Sequence, residues 1–220
     1  MTSVANSAAR QAAQIRAHAR RGLWRRATAA MGLNPDARRA DARAALWAHG
    51  AQGEAATARL LAPLERAGWT IRHDLRLRGA RWNVDTVLVS PCGTAVVVLD
   101  TKAWRKNWTT QLVRGRVHCR NQEAGEDRHE QVEKVAGYAQ RIGRALELPG
   151  VQVLPLLVVH GSPVAGGCLA AQVQGVVGPV YVLSPSWLVS TMVRSAGAPD
   201  VRRAAAVTAR VDRVLLPYRG

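Results

Sequence analysis

Asp85, Asp100 and Lys102 are the residues whose types and spacing could do chemistry. Asp100 and Lys102 close the run "VVVLDTKAW" (96–104), with Thr101 between them. A run of β-branched residues reads as a buried strand, and residues two apart on a strand project to the same face. Asp85, in "WNVDTVLV", precedes them on a second strand-like run. The turn "SPCGT" between the two predicts an antiparallel hairpin, which brings Asp85 close to Asp100. Two carboxylates held together repel, and each is driven toward protonation unless a cation lies between them. A hard oxygen site with open water positions suits Mg²⁺ or Mn²⁺, and the Thr101 carbonyl is placed to join it. An ordinary ion pair at a strand end would read the same way for any isolated D-x-K triplet.

Lysine usage sharpens the pattern. The chain has 28 Arg and 3 Lys, the latter at 102, 106 and 134. Where Arg is used almost everywhere, a Lys at the strand end stands out. Arg is a wide planar fork, whereas Lys is a compact point donor able to hold an attacking water.

These residues need a sheet and helices to hold them. "GAQGEAATARLLAPLERAGW" predicts a helix from about residue 50, with Glu54 in its first turn, Pro63 as a kink and Gly68 as its end. "TIRHDLRL", "NVDTVLVS" and "TAVVVLDTKAW" predict three strands. "TTQLVRGRVHCRN" reads as a short hairpin or an irregular excursion. Residues 127–147 predict a helix that buries Val132, Val135, Ala136, Ala139 and Ile142. It carries Gln131, Lys134 and Tyr138 at one-turn spacing. "VQVLPLLVVHG" and "VVGPVYVLS" are further strands. A helix follows with Ser184 as N-cap and Pro185 at its first position. A terminal helix turns Arg202, Arg203, Arg210 and Arg213 outward. The order is α-β-β-β-α-β-(β)-α-α.

Residues 1–48 are an Ala/Arg-rich arm almost free of strand signals. A basic helix there would put Leu23 and Trp24 on its apolar side and end at Gly32–Pro35. A second helix would run from Asp36 to about His49. The compact domain is expected over 49–220, with its C-terminal strand and helices at 173–216.

The 220 residues carry a formal net charge of +16. So basic a chain favours polyanions, with nucleic acid first and an acidic membrane surface second. GC-rich codon usage would also inflate Arg. Cys92, Cys119 and Cys168 have no zinc spacing or disulfide framework, which points to a reduced, cytoplasmic chain. There is no secretory signal pattern, and no apolar stretch nears the ~20 residues that span a bilayer. Without a GxxxxGK[ST] loop, the chain is not expected to hydrolyse ATP by itself, and Ser162 and Ser184 lack a nucleophile-elbow context. His73, His118 and His129 do not cluster.

The stretches "GEAATARLL", "WTIRHDLRL", "NVDTVLVSPCGTAVVVLDTKAW" and "EQVEKVAGYAQRI" together resemble the nuclease-related domain of the PD-(D/E)xK nuclease superfamily, over about residues 50–160. The resemblance implies an α/β, restriction-endonuclease-like α-β-β-β-α-β core, with a mixed sheet flanked by helices and the basic arm added. Glu54 matches the acid of the first helix, Asp85 the metal-binding Asp, Asp100 and Lys102 the (D/E)xK pair, and Gln131 the Gln of the following helix. Asp replaces the family's more usual Glu at 100. The implied activity is Mg²⁺- or Mn²⁺-dependent phosphodiester hydrolysis, with DNA the expected substrate. Asp85, Asp100, Thr101 and Glu54 would hold the metal.

Arg76, Arg78, Arg81, Arg105, Lys106, Arg114 and Lys134 would contact the nucleic-acid backbone, with Trp104 and Trp108 interleaved. A nucleoid-associated place in the cell fits such a protein, and pairing into a homodimer would let it cut two strands. Two alternatives stand beside this reading. One is a catalytically silent nucleic-acid-binding module on a nuclease fold. The other is a membrane-surface protein anchored by the basic N-terminal helix.

Overall fold

The computed structural model describes residues 35–218 and Gln14; the predicted basic helix around Leu23 and Trp24 lies outside the described residues. The chain divides at Ala56/Thr57 into an N-terminal unit and a second unit, Thr57–Tyr218. The division falls within one helix, α1 (Pro35–Arg66). This corrects the expected pair of helices. Gly50 has no positive φ, and the many Ala residues around Gly50 and Gly53 favour continuing the helix, so two glycines weaken it without ending it. Pro63 lies on the exposed side in the final turn and does not break it either. Glu54 is therefore deep in a long helix, not in a first turn. In the N-terminal part, Ala40, Ala44 and Ala51 are buried.

In the second unit α1 ends as expected at Gly68, whose φ is +86°. Gly68 N donates to Glu65 O and Trp69 N to Leu64 O, the two bonds of a Schellman motif. The chain then forms β1 (Thr70–Leu77), β2 (Val84–Val89) and β3 (Ala95–Ala103). An excursion follows: β4 (Thr109–Val113), β5 (Arg116–Arg120) and β6 (Gly125–Asp127), a separate three-stranded sheet. The polypeptide returns through α2 (His129–Leu146) to β7 (Gln152–His160). Then come a single 3₁₀ turn, β8 (Cys168–Ala171), β9 (Val180–Leu183), α3 (Pro185–Ser195), α4 (Val201–Val214) and β10 (Leu215–Pro217). The seven-stranded sheet has the order β10-β1-β2-β3-β7-β9-β8. β1–β2–β3 are antiparallel, while β3, β7 and β9 are parallel. The core is the mixed sheet, flanked by helices, of a restriction-endonuclease-like α/β fold.

Alternation along β3 sorts its side chains into two layers. Val96 and Val98 pack with Val132, Val135, Ala136, Ala139 and Ile142 of α2. Val97 and Leu99 pack with Leu61 and Leu64 of α1 and Leu188 and Met192 of α3. Central parallel strands covered on both faces read as unbroken apolar runs, which is why 96–99 and 156–159 look alike.

The β2–β3 turn sets the register that matters most. Ser90 N donates to Ala95 O, and Gly93 N to Ser90 O. Gly93 has φ +64°, and a Cβ there would fall 2.7 Å from the Arg203 and Ala204 backbone. Arg203 Nε also donates to Gly93 O, so α4 clamps the turn. A slip of one residue would send Asp85 to the opposite face.

Helical spacing predicts that Arg202, Arg203, Arg210 and Arg213 turn outward; Arg203 is exposed as expected yet also bonds Gly93 O, and Arg210 is docked instead. Arg210 donates to Leu146 O and Ala145 O, covering carbonyls left over at the C-terminal end of α2. The expected terminal helix also stops at Val214, because Leu215–Pro217 finds free backbone partners along the edge of β1. Ser184 precedes α3 as expected, but its hydroxyl meets Ser186 Oγ rather than a helix N–H.

Candidate nuclease site

The register that pairs Thr86 with Leu99 puts Asp85 directly opposite Asp100. Opposed residues of an antiparallel pair share a face. Asp100 and Lys102 continue the Val96–Val98 alternation, so this face is the one covered by α2. The Lys102 ammonium stands against Asp100 Oδ2, and Lys102 Nζ also donates to Thr101 O at 3.3 Å. Thr101 N donates to Asp85 Oδ2 at 2.7 Å. The main chain of Thr101 thus links both carboxylate-bearing strands.

Asp100 is only 7% exposed. Its Oδ2 receives no well-directed hydrogen bond, so what faces it is the charge of Lys102. A buried carboxylate in this state is held by a cation at its side.

The donor set fits a hard divalent cation. Mg²⁺ commonly uses one or two carboxylates, with water and substrate phosphate in its other positions. Here the two carboxylates come from neighbouring strands. Among the described residues, no group of three or more His, Cys, Asp or Glu side chains is arranged to hold a metal ion. Glu54 is half-buried, one turn before Thr57 on α1, and belongs to the N-terminal unit.

Topology gathers the other expected residues at the same end of the sheet. β3 runs parallel to β7, and α2 connects them, so α2 begins near the Lys102 end of β3. Gln131, in the first turn of α2, is half-buried there, and Lys134, one turn on, is exposed. Asp127 Oδ1 accepts from His129 N and holds this helix start. β1 is antiparallel to β2, so Arg76, Arg78 and Arg81 lie at the Asp85 end, all exposed. Arg105 and Lys106 follow β3 directly and are exposed.

Three expectations change in detail. Arg105 is paired with Glu126 at 3.2 Å and lies over the Trp108 ring at 4.7 Å, so part of its charge is already offset. Trp104 is buried in the core, with Arg128 beside it, and offers no stacking face. Arg114 is exposed at the tip of the β4–β5 hairpin, on the smaller sheet.

Sequence reading missed a network behind the site, on the α1 face. Thr101 Oγ1 donates to Thr57 Oγ1 at 3.1 Å, and Thr57 Oγ1 meets His160 Nε2 at 2.8 Å. Thr57 accepts from Thr101, and its own proton can then go to His160 Nε2. That requires a neutral imidazole, and burial does push the His160 pKa below its usual value. The signal was available. His160 pairs with Ala103, one residue beyond Lys102, and ends the apolar run Val153–Val159.

All three cysteines are free thiols. Among the described residues, no helix is long and apolar enough to cross a membrane. The family model for the nuclease-related domain matches residues 49–160. No curated protein and no solved structure matches the chain.

Proposed function

The chain belongs to the nuclease-related domain family, and from that premise we propose that it is a divalent-metal-dependent nuclease that hydrolyses phosphodiester bonds in DNA. One observation carries the reading: the register that pairs Thr86 with Leu99, continued by one residue, brings Asp85 and Asp100 to one face of β2 and β3, with Lys102 against the second carboxylate. Asp85, Asp100 and the Thr101 carbonyl would hold Mg²⁺ or Mn²⁺. A bound divalent ion would supply Lewis-acid stabilisation of charge growing on the phosphate.

The chain's own residues do the rest. Lys102 is a compact cation on the same face as both carboxylates, suited to orient an attacking water or to offset negative charge on the phosphoryl oxygens. The Thr101 amide fixes the rotamer of Asp85. Gln131, half-buried in the first turn of α2, would hydrogen-bond a phosphate oxygen. Arg76, Arg78, Arg81, Lys106 and Lys134 supply exposed charge for the strand on either side, with Arg105 and Arg114 toward the smaller sheet.

The test is cleavage of labelled single-stranded, duplex and branched DNA and of RNA, with Mg²⁺, Mn²⁺ or EDTA. Wild type is compared with Lys102→Gln, and thermal melting checks the fold. Metal-dependent cutting that Lys102→Gln lowers by about 100-fold or more is expected. Binding without any cutting would leave a silent nucleic-acid-binding module. Liposome binding by residues 1–48 without nucleic-acid binding would favour the membrane-surface alternative.

A further inference from the structure

On the α2 face, beyond the carboxylates, two aromatic rings form a stack that the cleavage chemistry does not use. Trp82 lies three residues before Asp85, in the β1–β2 connection, and Tyr138 is on α2. Their ring centroids are 4.4 Å apart and the planes differ by 10°. Tyr138 is 8% exposed, so one of its faces is closed by the core and the other by Trp82. Trp82 is half-buried and packs against the α2-side core from outside, so it is the outer ring of the pair.

Cations flank this stack. Lys134 Nζ stands 6.0 Å from the Tyr138 ring centre, and Arg141 Cζ stands 5.9 Å from that of Trp82. Both side chains are exposed. They lie seven residues apart, about 10 Å along the helix axis.

We propose that Trp82, stacked on Tyr138 and flanked by Lys134 and Arg141, is a platform that binds one unpaired nucleobase of the substrate strand next to the Asp85–Asp100 site. This rests on nucleic acid being the substrate, and it narrows that substrate to a strand with unpaired nucleotides. In a duplex, both faces of an internal base are covered by its neighbours. Only an unpaired or frayed base can offer a face to Trp82, and such stacking tolerates any base. Lys134 and Arg141 are positioned for the phosphates on either side. Arg141, which lies over the Trp82 ring, gives up that place to the base and takes a charge-assisted phosphate bond instead. The three-residue tether to Asp85 keeps the base and the cutting site in register.

The experiment measures binding in EDTA, by fluorescence anisotropy, of a labelled short oligothymidine and of a duplex of equal length. The proteins are the full chain and its Trp82→Leu, Trp82→Tyr and Arg141→Gln variants. Wild type should prefer the single strand. Trp82→Leu should weaken oligothymidine binding about tenfold, the scale of one base stacked on an aromatic ring. Trp82→Tyr should restore most of it, and duplex binding should stay within about twofold. Arg141→Gln, at an exposed position, should weaken the single strand several-fold even if Trp82→Leu fails to fold. Equal losses on single strand and duplex, no single-strand preference in wild type, or no loss in Trp82→Leu and Arg141→Gln would each overturn the platform. Because EDTA withholds metal, a protein that never cuts can still show the platform. Equally, a nuclease that cuts while Trp82→Leu binds normally loses the platform alone.

Discussion

The end of β3 has two faces with opposite chemistry. Toward α2 it presents Asp100 and Lys102, charged, with Asp85 beside them from β2. Toward α1 it presents Thr101, whose hydroxyl enters a neutral chain through Thr57 to His160. On the α2 face a buried carboxylate is balanced by the Lys102 ammonium. On the α1 face hydroxyls and imidazole satisfy one another, so that side holds the strand still. Charged and neutral groups thus alternate along one strand, and the Thr101 backbone joins them.

The sharpest way to break that contrast is to neutralise one group on each face. Asp85→Asn or Asp100→Asn should lower metal-dependent cleavage on the order of 10³-fold, the scale of removing a preorganised charge-stabilising group. Thr101→Val should cost only a few-fold. Equal losses in a cleavage time course would mean that the α1 face takes part in the reaction.

The next effect concerns the rim of the charged face. Affinity for nucleic acid should fall steeply with added salt. Replacing Arg76, Arg78 and Arg81 with Gln should flatten the log–log slope by about 0.7–0.9 for each phosphate that is no longer neutralised. An unchanged slope would move the backbone track elsewhere on this basic surface.

On the quieter face, Thr57→Val should lower stability by about 1–2 kcal/mol, because a buried hydroxyl and an imidazole nitrogen lose their partner. Denaturant melts measure this, and cleavage should remain. A loss of cleavage at full stability would contradict a purely supporting role for the network.

The smallest effect is with pH. Burial pushes the pKa values of His73 and His160 below the usual value, with Glu65 and Asp74 opposing this more weakly at His73. For a histidine whose folded pKa is lowered, the unfolded chain binds the proton more readily. Stability is therefore complete above about pH 6.5 and declines as pH falls toward the lowered folded value. Melting temperature should drop between about pH 7 and 5, and less so in His73→Gln. A melting temperature that rises over that range would reverse the assigned direction.

Much of the charged face was legible in sequence, and the reason is periodicity. A β-branched run ending in D-x-K has only one regular way to place its side chains, and a short turn before it has few registers. The strands β1, β2, β3 and β7, the apolar stripe of α2 and the stop at Gly68 follow from the same local rules. The Arg-rich, Lys-poor composition likewise marks Lys102 without any structure.

What local rules could not supply was anything set by distant partners. Glycine-weakened helices are continued or broken by small differences, so the single helix Pro35–Arg66 was not legible. Arg203 and Arg210 look like exposed helix cations until a turn at Gly93 and the end of α2 provide carbonyls for them. β10 needs the free edge of β1, far back in the chain, where Leu77 pairs with Leu215. The stack of Trp82 on Tyr138 and the Thr57–Thr101–His160 chain join residues from separate elements, distant in sequence. Sequence alone determined which side chains leave a strand together, because the backbone repeat enforces it. Tertiary structure alone decided which of them meet, because packing and hydrogen-bond satisfaction act over the whole molecule.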